Sequence, residues 1–465
     1  MISTFAVVKN QEDADAIRQR DERITQRMWN ALEKRCQRGT QNEAEELKAR
    51  AEAGEIEAMT VLAAFYEQGI GVQQDTSRAA ELYRKASQAI PNYRHNKAHD
   101  HSKRTWTNFS LVRPLMKKAA QLGDDFALGE CYNIGGPLGF DQERSRMYYK
   151  RAADKGDPEA MFNLVRSYSY PLDDSAPQPD LAEKYLHQAA ELGHLMALQN
   201  AVVLSKDDAE RVKWLKLLAE KCDDQLYSSL VNELAVRYEQ GDGVPRDERM
   251  AVKWHAKAAE LGDIDSFLAL ARCCELGKGV AQDEDQAIEL YLEAARRGSG
   301  KAMYELGLRC EAAGLKEDMA AWFCQGARHW YLPAKKRFAE CLEYGIGMPR
   351  DITAAIEEYK DIANTEPYFW SQEDNTWLRA QAAYHVAMAY KAGQGVDTDI
   401  ALSVKWLKKA AKLGSSEAMF TLGQHSERGE GMRKSPKIAV KWYEAAANLD
   451  HQPAAERLKE LTENH

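Results

Sequence analysis

The chain is predicted to be all-α, a right-handed superhelical α/α solenoid of about ten helical hairpins with capping helices at its ends. Three observations predict this. A phrase Gly-X-Gly-Val-X-X-Asp recurs as Gly69-Ile-Gly71-Val72-Gln-Gln-Asp75, Gly241-Asp-Gly243-Val244-Pro-Arg-Asp247 and Gly277-Lys-Gly279-Val280-Ala-Gln-Asp283, with weaker copies from Gly345, Gly393 and Gly429. Neighbouring copies lie 36 residues apart, from Gly241 to Gly277 and from Gly393 to Gly429, and a period of that size belongs to stacked hairpins. An aromatic helix follows each phrase and usually ends in Ala-Ala-X-X-Gly, as at Ala258-Ala259 before Gly262 and Ala410-Ala411 before Gly414.

Each element has a physical role. The opening glycine suits a helix C-terminus that ends in the left-handed region, where a Cβ is costly. Six residues on stands Asp75, Asp141, Asp247, Asp283, Asp351, Asp399 or Ser435, a short acceptor fit to cap the next helix. The apolar fourth residue (Val72, Leu138, Val244, Val280, Met348, Val396 or Met432) is expected to plug the loop into the core. The second helix then presents an aromatic column: Tyr83, Tyr148, Tyr185, Trp214, Trp254, Tyr291, Trp322, Tyr359, Trp406 and Trp442. One aromatic in every hairpin is packing, rather than a cofactor box. Paired alanines let neighbouring helices approach closely.

Boundaries follow. Residues 1–54 read as an N-terminal helical cap, with Ile17, Ile24, Met28, Leu32 and Cys36 on one stripe of a helix over 11–38. The repeats run over 55–449, and 450–465 reads as a C-terminal cap. Three hairpins depart from the pattern: 160–191 has a Pro171 to Pro179 loop, 196–221 has only Ser205 to Asp208, and 302–326 has Ala312-Ala313-Gly314.

With its loop phrase, capping acids and Ala-Ala-X-X-Gly ends, the chain resembles the Sel1-like repeat proteins, relatives of the tetratricopeptide solenoids. The resemblance implies a non-enzymatic scaffold or adaptor that binds a protein through a concave wall lined by first helices. The chain is expected to be a cytoplasmic protein of a bacterium. Secreted members can staple their hairpins with regularly spaced cysteine pairs, and that regularity is missing from the eight cysteines here. They read as reduced core residues, with Cys310 and Cys324 the one pair placed for a disulfide.

Composition agrees. A net charge of −9 argues against nucleic-acid binding by the whole surface, and no apolar run reaches bilayer-spanning length. No secretory signal opens the sequence, since Met1 to Asn10 lacks a basic region and a long apolar stretch. The signatures His-Glu-X-X-His, Gly-X-Ser-X-Gly, Gly-Lys-Ser/Thr and Ser-X-X-Lys are all missing, so no enzyme activity and no cofactor are expected.

Function is sought where the chain leaves its own repeat. An insertion at 87–118 is basic between Asn92 and Lys118, with Arg94, Lys97, Lys103, Arg104, Arg113, Lys117 and Lys118 against Asp100. Arg94, Lys97, Lys103, Arg104 and Trp106 are therefore candidates for docking an acidic protein surface. His95, His99 and His101 have spacing a zinc ion could use, the basis of a metal- or ligand-responsive alternative. A second insertion at 364–378 sets Tyr368, Phe369, Trp370 and Trp377 among acids, a composition suited to an interface. An immunity-type inhibitor that occludes a toxin or enzyme is the other alternative.

Overall fold

In the computed structural model, residues 23, 26–90, 104–133, 138–173, 175–366 and 375–463 are described. By packing, the chain divides into two compact units, Met1–Cys222 and Asp223–His465. Among the described residues every regular element is helical.

Unit 1 opens with α1, described over 26–36, and α2 (Gln41–Glu52). Trp29 of α1 meets Tyr83 edge-on, with centroids 6.0 Å apart. Hairpins α3 (Ile56–Gln68)–α4 (Thr76–Ala89), α6 (Asp125–Tyr132)–α7 (Gln142–Asp154), α8 (Pro158–Ser169)–α9 (Pro179–Glu191) and α10 (Leu195–Leu204)–α11 (Asp208–Lys221) follow. A single helix, α5 (Arg104–Gln121), stands between α4 and α6 and packs on both. Its Val112, Leu115 and Met116 are buried, so the second half of the basic insertion belongs to the core.

Unit 2 begins with a 3-10 turn and continues as α12 (Ser228–Gln240)–α13 (Glu248–Glu260), α14 (Ile264–Leu276)–α15 (Glu284–Arg296) and α16 (Gly300–Ala312)–α17 (Lys316–Arg328). Then come α18 (Leu332–Tyr344)–α19 (Ile352–Asn364), α20 (Thr376–Ala392)–α21 (Ile400–Lys412) and α22 (Ser416–Arg428)–α23 (Pro436–Ala447), with α24 (Gln452–Glu463) packed on α23.

The loop phrase closes the same way in each copy. The capping acid accepts from the backbone two or three residues on, as Arg78 N–H to Asp75 at 2.9 Å. Its own N–H returns to the first helix: Asp75 to Tyr66 O, Asp283 to Cys274 O and Asp351 to Leu342 O, each at 2.9 Å. The second glycine is needed for stacking as well as for its turn. At Gly347 (φ +69°) a Cβ would lie 1.9 Å from the Lys316 carbonyl oxygen, and at Gly279 (φ +69°) 2.2 Å from that of Glu248. Each of these loops therefore sits on the first turn of the preceding hairpin's second helix.

Two expectations are corrected. The aromatic column mixes two registers: the fully buried site lies eight residues after the capping position. There stand Tyr83, Tyr149, Leu186, Leu215, His255, Tyr291, Phe323, Tyr359, Leu407 and Tyr443, none more than 2 % exposed. Tyr148, Trp322, Trp406 and Trp442, one residue earlier, are only half-buried, whereas Tyr185, Trp214 and Trp254 at that same position are buried. Leu138 does not plug its loop and is exposed, whereas Val280, Met348, Val396 and Met432 pack on the core.

Candidate functional site

The first helices offer the surface the sequence points to. In unit 2 their charges pair with one another: Arg272 with Glu305 at 3.6 Å, Arg309 with Glu275 at 2.6 Å, Lys336 with Glu340 at 2.6 Å. Self-paired, half-exposed charges give a partner little electrostatic purchase.

Burial pushes the Cys131 thiol up to about 12, and those of Cys273 and Cys341 up to about 11. Such thiols stay protonated and make poor nucleophiles. No disulfide joins any of the eight cysteines, Cys310 and Cys324 included. Among the described residues, no group of three or more His, Cys, Asp or Glu is placed to hold a metal ion. Among the same residues no helix is long and apolar enough to cross a membrane.

The edge formed by the turns between hairpins in unit 2 is different. Three of these turns end on a glycine in the left-handed region, Gly262 (φ +94°), Gly298 (φ +91°) and Gly414 (φ +96°), and the α23–α24 turn ends on Asp450 (φ +58°). The following N–H then returns to the first alanine of the pair, as Ser415 N–H to Ala410 O at 3.0 Å. Between α17 and α18 the same bond, Tyr331 N–H to Gly326 O at 3.2 Å, closes over Trp330 at φ +58°. A bulky residue there costs about 1–2 kcal/mol, and the indole is not buried in compensation: Trp330 is 68 % exposed.

Lys335 holds the indole from below, its Nζ 4.6 Å from the ring centroid. That side chain is itself buried and anchored on α19, 3.2 Å from Glu358 and 3.0 Å from Asp361. One turn further on, Asn364 accepts from Lys409, whose Nζ stands 5.1 Å from the Trp406 ring. Burial, and then the neighbouring Arg379, hold the Lys409 ammonium below its usual range. The chain next enters the aromatic insertion and returns with Trp377, in the first turn of α20 and 55 % exposed. Trp330 and the aromatic insertion thus occupy the α17–α18 and α19–α20 turns, joined through Lys335 and α19.

Among the residues singled out in the sequence, Trp377 is on this edge, and Tyr368, Phe369 and Trp370 lie outside the described residues. So do Arg94, Lys97, Lys103, His95, His99 and His101. Arg104 and Trp106 fall in the first turn of α5. Trp330 was missed, although its signal is in the sequence: Gly326-Ala327-Arg-His-Trp330 puts Trp where Ala-Ala-X-X-Gly ends.

The Sel1 repeat family model matches residues 56–89, 126–157, 158–194, 231–263, 267–299, 334–357, 380–415 and 416–451, more than half of the chain. It passes over α10–α11 and α16–α17, two of the three hairpins whose loops depart from the phrase. A Sel1 repeat protein from Oxalobacter formigenes is similar in structure at 25 % identity and TM-score 0.55, over 68 % of this chain and 90 % of that one. A protective antigen of uropathogenic Escherichia coli displaying an SLR fold is 23 % identical over 91 % of both chains, at TM-score 0.42. An immunity protein from Pseudomonas aeruginosa is 16 % identical over 50 % of this chain and 89 % of its own, at TM-score 0.29. The last two superpose too poorly to bear on function. Repeat phrase, closed loops, stacked hairpins and the family match agree, and the chain belongs to the Sel1 repeat family.

Proposed function

We propose that this protein is a non-enzymatic scaffold that holds a protein partner on the turn edge of unit 2. Sel1 repeats generally mediate protein–protein interaction. What supports a site on this edge is Trp330, an exposed indole in the left-handed region, where Gly262, Gly298 and Gly414 end the corresponding turns and Asp450 ends the α23–α24 turn. Selection for stability alone favours Gly or Asn there; an exposed Trp anchors interfaces. Trp377 extends the anchor along the same edge, and Tyr368, Phe369 and Trp370, next to it in sequence, are further contacts with the partner. The basic segment with Arg94, Lys97, Lys103, Arg104 and Trp106 is a second contact, made by unit 1 with acidic surface on the partner. A cytoplasmic setting fits the free thiols.

The test is affinity capture from native lysate with identification by mass spectrometry, comparing the intact chain with Trp330→Gly/Trp377→Ala. Deleting 92–118 would remove buried Val112, Leu115 and Met116, so the basic segment is tested instead by changing Arg94, Lys97 and Lys103 to Gln. A stoichiometric partner lost from the double variant supports the turn edge. Capture unchanged in both variants refutes this placement, and turnover of a substrate by the purified chain refutes the scaffold itself.

A further inference from the structure

Unit 1 has an edge of another kind, formed by the loops within its hairpins. Leu138 and Phe140 in the α6–α7 loop, Tyr170 and Leu172 in the α8–α9 loop, and Val203 and Leu204 at the end of α10 are between 45 and 75 % exposed. They form one row because each loop sits on the start of the preceding second helix. Leu172 N–H donates to Gln142 Oε1 at 2.6 Å, beside Phe140, and Lys206 reaches Glu183 of α9 at 2.6 Å. The loop phrase that tucks an apolar residue inward elsewhere is altered in all three hairpins: to Gly135-Gly136-Pro137-Leu138-Gly139, to a Pro-rich loop and to a shortened one. Six large apolar side chains exposed along consecutive loops are beyond the scattered exposure a stable surface shows.

The surroundings say what kind of segment fits. Residues 138–146, 170–183 and 203–210 contain nine acids and three bases, a dense share of a chain whose net charge is only −9. The three bases are already engaged: Arg144 with Asp141 at 3.2 Å, Arg146 with Asp173 at 3.3 Å, Lys206 with Glu183 at 2.6 Å. Glu143, Asp180 and Asp207 add exposed negative charge at the starts of α7, α9 and α11. An apolar row with an acidic rim repels acidic partners and favours apolar side chains carried among Lys and Arg.

We infer that the loop edge of unit 1 docks a segment of a protein partner in which Leu- or Phe-type residues are interspersed with Lys and Arg. This rests on the scaffold reading and adds a second, chemically distinct grip to it. The probes are fluorescein-labelled peptides of Leu, Phe, Lys and Arg, with matched peptides carrying Glu for the bases or Ser for the apolar residues. The receptors are the full chain and Tyr170→Ser/Leu172→Ser/Val203→Ser/Leu204→Ser, whose changed side chains are all more than half exposed, so that its circular dichroism melt stays in place.

Fluorescence anisotropy should show the basic apolar peptide binding the intact chain, weakening with added salt. It should bind the four-Ser variant roughly tenfold or more weakly, the loss expected when anchor side chains are removed. Equal binding to both receptors would show attraction by net charge alone and overturn the proposal, as would equal binding of the Glu peptide. Light scattering that finds a dimer of the intact chain and a monomer of the variant would make the edge a self-interface, which also overturns it. If the variant still captures its partner from lysate, the scaffold reading stands and this edge falls.

Discussion

Glycine at a hairpin terminus is a conformational requirement, and Trp330 is the residue that shows what ignoring it involves. Replacing it with Gly relieves about 1–2 kcal/mol of left-handed strain. The same change loses the Lys335 contact, about 0.5–1 kcal/mol, and adds backbone freedom to the unfolded chain. The Trp330→Gly protein should therefore be unchanged or up to about 1 kcal/mol more stable in urea unfolding. A loss of more than about 1 kcal/mol would make Trp330 a structural residue and remove the argument for an anchor. Gly347 is the opposite case. Gly347→Ala drives a Cβ into the Lys316 carbonyl and should cost about 3 kcal/mol or more, against about 1–2 for Gly314→Ala, where φ is +75° but the space is open. Equal costs would mean that loop stacking contributes nothing. The sequence showed both glycines of the phrase, yet only the first had a reason. The second is explained by the neighbouring hairpin, which local pattern cannot display.

Where the buried site holds a tyrosine, its hydroxyl reaches back to a glutamate of the first helix. Tyr83 donates to Glu67 at 3.1 Å, Tyr359 to Glu343 at 3.0 Å and Tyr443 to Glu427 at 2.9 Å. Burial first, and then the carboxylate, raise these phenols far above their usual range. The following element completes the set: Lys118 of α5 meets Glu67 at 2.6 Å, Arg309 of α16 meets Glu275 at 2.6 Å, and Arg457 of α24 meets Glu427. The last of these makes α24 acid-sensitive. Hydrogen bonding by Arg457 holds the Glu427 carboxyl below its ordinary 4.5, against the opposing effect of burial. A depressed folded value contributes stability that is present above 4.5 and lost as pH falls through the folded value. Amide exchange over 452–463 should accelerate selectively as pH is lowered from 5 towards 3, after correction for intrinsic rates, and Glu427→Gln should abolish that dependence. Uniform acceleration across α22–α24 would count against it. Helix count and loop position were legible because caps and glycines act locally. The column's register was not, because Tyr148 and Tyr149 are adjacent aromatics and only the neighbouring helix decides which is buried.

At the scale of the whole chain, stacking distributes stability between neighbours. Unit 2 has its own core, spanning Leu332 to Leu422 in one cluster and Leu268 to Leu306 in another. Residues 223–465 expressed alone should therefore give a helical spectrum and a cooperative urea transition; a broad, non-cooperative transition would mean that this unit does not fold by itself. The division at Cys222 was not legible, since the 196–221 and 302–326 hairpins depart from the phrase equally and only one adjoins a boundary.

Loop closure also has an evolutionary side. Where Gly-X-Gly persists, an extra residue would break the bond from the capping acid and unseat the loop from the helix beneath it. Such loops can change side chains but not length. Both large insertions, 87–118 and 364–378, fall at the ends of second helices, where the turn glycines meet at most a neighbouring side chain and no backbone. A designer grafting a binding loop should therefore cut after Ala-Ala-X-X-Gly rather than inside a Gly-X-Gly loop.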